Sequence, residues 1–191
     1  MTKLSEEEIN LAKSLKTFLG PDDWKELTKT TEYEFSLFKK VEFDVRKSYF
    51  VRGNRNLLGK FKSFFLTRCL KWHPMYTGCS LYEYAEGVSS PDKDEFGLTI
   101  SKELLFLYMH EHMSTLGNSR IWLTETIINK VADRNRKGLV TVILSEIDVE
   151  EFERCGEMGV INLLEGNQVM KTSEALSDLK NNSGSSKSIY G

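Results

Sequence analysis

Cysteine, proline and histidine are scarce in this chain, with three of each in 191 residues. The cysteines (Cys69, Cys79, Cys155) are odd in number, widely spaced and lack a C-x-x-C pair. That excludes a disulfide framework and a cysteine-rich zinc site. Long hydrophobic runs are missing too, and the amino terminus, Met1-Thr2-Lys3-Leu4-Ser5-Glu6-Glu7-Glu8, has no apolar signal segment. The expectation is a cytoplasmic protein with no membrane contact. Charge of either sign is not in excess: 26 Lys and Arg face 28 Asp and Glu, for a net charge of −2. No global basic field announces a nucleic-acid binder, so any such contact needs a local patch. What remains is ordinary and globular, at 40% hydrophobic and 11% aromatic residues, enough for one α/β domain with a short accessory segment.

The first forty residues read as helical. Ser5 and Glu8 make a capping box, and Ile9, Ala12, Leu15, Phe18 and Leu19 follow at helical spacing. Gly20-Pro21 stops that helix, and Asp22-Asp23 opens another through Trp24 and Leu27. Strands and helices alternate afterwards. Strands are expected at 47–52, 79–86, 104–109 and 139–144, and helices at 59–72 and 119–137. Residues 87–98 have loop composition, and Asp148 opens a further helix through Phe152. The division expected is a helical accessory segment over 1–40, an α/β domain over 41–176 and a disordered tail over 177–191. Alternation with buried apolar strands implies a parallel sheet covered on both faces, whose ligands bind beyond the carboxyl ends of the strands.

The junction after the first of those strands carries chemistry. Phe50-Val51-Arg52-Gly53-Asn54-Arg55-Asn56-Leu57-Leu58-Gly59-Lys60-Phe61-Lys62-Ser63 has the layout of strand, loop and Gly-Lys helix start found in a P-loop. A working P-loop turns backbone N–H groups to phosphate oxygens, its Lys neutralises them, and its hydroxyl holds magnesium. Here Gly53, Gly59, Lys60 and Ser63 are the candidate nucleotide-binding residues, with Phe61 at the hydroxyl's position and five residues, not four, between the glycines. The strand 104–109 leads into His110-Glu111-His112. P-loop ATPases end this strand in an acidic pair, so Glu111 is the candidate for polarising water, while His110 is a poor ligand for a hard cation. The two histidines find no third ligand in the pattern, and no metal site is assigned.

The stretch Ser119 to Glu146 continues the pattern with an amphipathic helix, the polar-Gly segment Asn135-Arg136-Lys137-Gly138, and the strand Leu139-Val140-Thr141-Val142-Ile143-Leu144 ending in Ser145-Glu146. Gly156-Glu157-Met158-Gly159-Val160-Ile161-Asn162-Leu163-Leu164-Glu165-Gly166 follows. This frame resembles the AAA+ bacterial replicative helicase loaders and the insertion-sequence transposition ATPases, over roughly residues 47–170. The resemblance implies a parallel-sheet P-loop (AAA+ core-like) α/β domain. It also implies an arginine acting on a neighbouring subunit's nucleotide, but Met158 and Asn162 stand at the two arginine positions. Such a finger is worth about 10³–10⁵ in rate in related phosphoryl-transfer sites.

The leading expectation is therefore a catalytically degenerate, loader-like protein acting by protein–protein contact in DNA replication or on a mobile element. ATP or ADP binding is weak or absent in that reading. Its partner is a replicative helicase or an AAA+ ATPase, with a homo-oligomer left open. A divergent active ATPase, and a phage-type inhibitor aimed at a loader or helicase, are the alternatives. Arg52, Arg55, Arg134, Arg136 and Lys137 are the positions from which DNA contact is expected.

Overall fold

In this computed structural model residues 6–81, 83–84, 101–109, 118–146 and 158–163 are described, the side chains of residues 8, 118–124 and 126 excepted. The expected helix at 148–152, the loop at 87–98, His110-Glu111-His112 and the tail lie outside the described residues.

The α/β class expected from the pattern is the one found. Five parallel strands, β1 (Tyr49–Gly53), β2 (Tyr76–Ser80), β3 (Leu104–Met109), β4 (Val140–Ser145) and β5 (Gly159–Leu163), lie in the order β2-β3-β4-β1-β5. β1 thus sits between β4 and β5, with Phe50 opposite Ile143 on one side and Val160 on the other. Four helices are described: α1 (Glu6–Thr28), α2 (Glu32–Lys40), α3 (Arg55–Arg68) and α4 (Asn118–Arg136).

The period-2 alternation of the strands sorts their side chains into two cores. One face of the sheet (Tyr49, Val51, Phe106, Val142, Ile161) packs with Leu19 of α1, Phe38 of α2 and Leu57, Phe61, Phe64 and Phe65 of α3. The other face (Phe50, Leu105, Leu107, Ile143, Val160) packs with Ile127 and Val131 of α4 and with Leu81 and Tyr84. The amino-terminal helices therefore share a core with the sheet.

The stop expected at Gly20-Pro21 is present as a break inside α1. Gly20 has φ 71°, a conformation that suits glycine, and Pro21 restarts the helix. Polar contacts then hold the second half of α1 down. Lys62 Nζ lies 3.0 Å from Asp23 and over the Phe106 and Tyr108 rings, while the Tyr76 hydroxyl donates to Leu19 O at 2.6 Å. Burial would lower the Lys62 pKa, but Tyr108 and Asp23 outweigh it and hold the ammonium above its ordinary value.

Two elements differ from expectation for one reason. The strand expected at 79–86 stops at Ser80, because Ser80 and Glu83 form a reciprocal capping box: Glu83 N donates to Ser80 Oγ and Ser80 N to Glu83 Oε2. Residues 81, 83 and 84 are helical. Helix α2 starts the same way, with Glu34 N donating to Thr31 Oγ1 and Thr31 N to Glu34 Oε2.

Candidate functional site

The junction between β1 and α3 is the position at which a P-loop is expected, and here it is one residue long. Gly53 is the last residue of β1, in register with Leu163 of β5. A Cβ on Gly53 would meet Leu163 Cβ at 3.3 Å and Leu58 Cδ2 at 3.5 Å, so the glycine serves the close approach of β5 and α3. Asn54 follows as an N-cap, its Oδ1 accepting from Leu57 N at 2.9 Å, and α3 begins at Arg55. The loop and helix start expected over 53–60 are thus helix almost throughout. Where a P-loop spreads several backbone N–H groups around a phosphate, this turn spends one of its free donors on its own asparagine.

Gly59 and Lys60 accordingly lie inside α3. Lys60 is five residues past Arg55, about 7 Å along the helix axis from its start. The residue is 7% exposed, and its ammonium donates to both oxygens of Glu34, at 2.7 and 2.9 Å. Glu34 therefore works twice, capping α2 through Thr31 and pinning α2 to α3 through Lys60. Burial pushes its pKa up, but the bonds from Lys60 and Thr31 outweigh that and leave the carboxyl below its ordinary value.

Phe61, in the place of the magnesium hydroxyl, is fully buried. Its ring meets Phe38 edge-on at 5.5 Å and Phe43 at 5.7 Å, within an aromatic cluster that also takes in Phe35, Phe64 and Phe65. Ser63 is also fully buried, and its Oγ donates to Gly59 O at 3.2 Å, one helical turn back. Gly53, Gly59, Lys60 and Ser63 are thus near one another, but as strand end, helix interior and core. They do not form a cradle that a triphosphate fits. Glu111 lies outside the described residues.

The carboxyl end of the sheet carries a second polar group. Arg52 of β1 is in register with Ser145 of β4 and Asn162 of β5, so the three side chains share the α4 face of the sheet. Asn162 Oδ1 is buried there with no hydrogen-bond partner among the described residues.

The basic residues separate. Arg52 and Arg55 lie at the carboxyl end of the strands, whereas Arg136 and Lys137 lie at the opposite end, ahead of β4. Arg134 is 4% exposed, because its Nε donates to Thr141 Oγ1 at 2.8 Å and its Nη2 donates to both Val140 O and Lys102 O. It ties α4 to the sheet and is withdrawn from any DNA surface. Sequence reasoning missed this role, as a lone Arg at a helix end carries no signal of burial. Among the described residues no helix is long and apolar enough to cross a membrane.

No family model matches the chain, and no curated protein matches it either. Among solved structures it is similar to a proposed primosome component of Streptococcus pyogenes serotype M3, at 14% identity and TM-score 0.42, covering 78% of this chain and 84% of that one. It is similar to domain III of the Thermotoga maritima replication initiation protein DnaA, at 12% identity and TM-score 0.43, covering 85% of this chain and 69% of that one. It is also similar to AMPPCP-bound DnaA of Aquifex aeolicus, at 12% identity and TM-score 0.42 over 70% of this chain. This chain covers 46% of the Aquifex protein, a little under half its length. The chain has a parallel five-stranded α/β core in the order β2-β3-β4-β1-β5, and its β1–α3 turn is closed to one capped residue.

Proposed function

We propose that this protein is a catalytically silent, helicase-loader-like AAA+ domain that acts through protein–protein contact in DNA replication or on a mobile element. One observation carries the reading: β1 passes into α3 through Asn54 alone, so the turn that would hold a β/γ-phosphate is absent. The side chains are committed elsewhere in the same sense, with Lys60 held by Glu34 and Phe61 in the core. A replicative helicase or an AAA+ ATPase is the partner this reading calls for, and ATP and ADP bind weakly or not at all.

Titration calorimetry with ATP and magnesium tests it directly. Little or no heat at ligand concentrations in the high micromolar range is expected, together with no turnover that depends on Lys60. Tight magnesium-dependent binding that Lys60→Ala abolishes would establish a divergent ATPase instead.

A further inference from the structure

The fold gathers cations from distant parts of the chain at the amino-terminal end of the sheet, opposite the β1–α3 turn. Because all the strands run parallel, the segments entering them share one end. Arg46 and Lys47 enter β1, and Lys137 enters β4. Helix α3 runs back from the far end, delivering Arg68 in its last turn and Lys71 just beyond. Helix α4 finishes there with Arg136. All six are exposed.

Side-chain contacts join the three groups. The Arg46 guanidinium lies 4.3 Å from the centroid of the Trp72 ring, which brings the β1 entry against the end of α3. On the other side the Ser48 hydroxyl donates to Asn135 Oδ1 and accepts from Thr141 N, which fastens the same segment to the end of α4 and the start of β4. Arg46 and Lys47 thus form the middle of a band flanked by Arg68 and Lys71 and by Arg136 and Lys137.

Among the described residues carboxylates do not cancel it. Asp133 pairs with Arg136 at 2.6 Å, and Glu42 and Asp44 precede Arg46. Lys102 and Glu103, which enter β3, offset each other, so among the described residues the six cations against these three acids leave a local charge of +3 on a chain whose net charge is −2. Compensation of helix carbonyl ends accounts for Arg68 and Arg136. It does not account for Arg46, Lys47 or Lys71, which lie outside the helices.

We propose that this amino-end face binds the phosphate backbone of a nucleic acid. A band of mixed Arg and Lys suits contact along a charged backbone rather than readout of bases. The proposal is independent of the protein-partner reading above and uses no residue of the β1–α3 turn.

Fluorescence anisotropy of the full chain with labelled oligonucleotides of about thirty nucleotides, single-stranded, duplex and RNA, tests it between about 50 and 200 mM salt. With about three to four phosphates contacted, log affinity should fall with log salt at a slope near −3, and affinity at physiological salt should be about 10⁻⁴–10⁻⁶ M. Lys47→Ala with Lys137→Ala should make that slope shallower by about 2. Arg46→Glu with Lys137→Glu should weaken binding at least tenfold while the far-ultraviolet circular dichroism stays unchanged. Arg55→Glu, the same charge change at the other end of the sheet, should leave binding as it was. No binding at the lowest salt overturns the proposal. So does loss through Arg55→Glu equal to that through the amino-end pair, or binding only to phosphatidylserine vesicles or polyglutamate.

Discussion

Replacing Lys60 by alanine separates a structural lysine from a phosphate-binding one. The Lys60 and Glu34 side chains are 8% and 14% exposed, with both carboxylate oxygens within 2.9 Å of the ammonium. Breaking a buried pair by removing one partner costs about 3–5 kcal/mol. Thr31 still donates to Glu34 at 2.7 Å and some water reaches the pair, so the cost falls below that range, at about 2–3 kcal/mol. For a domain of this size that lowers Tm by about 5–10 °C, at about 2–4 °C per kcal/mol. Urea melts of Lys60→Ala, Glu34→Gln and the double variant should show coupling of at least about 1 kcal/mol, since the residues touch.

The coupling should also depend on pH. Glu34 has its pKa lowered in the folded state, so its contribution is present above the ordinary carboxylate range and is lost as pH falls through the folded value. Melts repeated in acid should therefore show Lys60→Ala approaching the parent. A Lys60→Ala protein as stable as the parent near pH 7 would refute the reasoning, because the ammonium would then be free of Glu34 in solution.

Two further substitutions question the same turn. Gly59→Ala should raise stability by about 0.5–1 kcal/mol, because a helix-interior glycine carries an entropy cost and the nearest atom to the new methyl is Glu26 Oε2 at 3.8 Å. A loss measured by chemical denaturation would show that residue 59 needs a conformation only glycine reaches. Phe61→Ser, which restores a hydroxyl at the magnesium position, should cost about 3–5 kcal/mol, since it removes a fully buried ring from the aromatic cluster. It should confer no magnesium-dependent nucleotide binding, and calorimetry showing such binding would contradict the geometry.

Much of the fold was legible because the strands are buried on both faces. The apolar run 104–109 is β3 to the residue, and 139–144 is β4 displaced by one. Helix 119–137 became Asn118–Arg136, and the break at Gly20-Pro21 stands where the residues put it. What was missed had a visible signal in two places, Thr31-x-x-Glu34 and Ser80-x-x-Glu83. These capping boxes start helices where propensity alone had suggested an accessory segment and a strand. The β1–α3 turn had a subtler signal. Asn54 is a strong N-cap ahead of Arg55-Asn56-Leu57-Leu58, a run that needs no loop.

The local pattern of the chain determined its elements and their class, because the period of the apolar residues and the caps act over a few positions at a time. It also determined that Phe61 could not supply a hydroxyl. Only the tertiary structure decided where α3 begins, since Gly59-Lys60 can open a helix or lie within one, and the cap at Asn54 and the burial of Leu57, Leu58 and Phe61 select the second. Only the tertiary structure set the fate of the charges. Lys60 met Glu34 from 26 residues away, Arg134 turned inward to Thr141, and Arg46, Arg68 and Lys137 came to one end because parallel strands must all begin on the same side. Charge is placed by contacts distant in sequence, which no short window of residues contains.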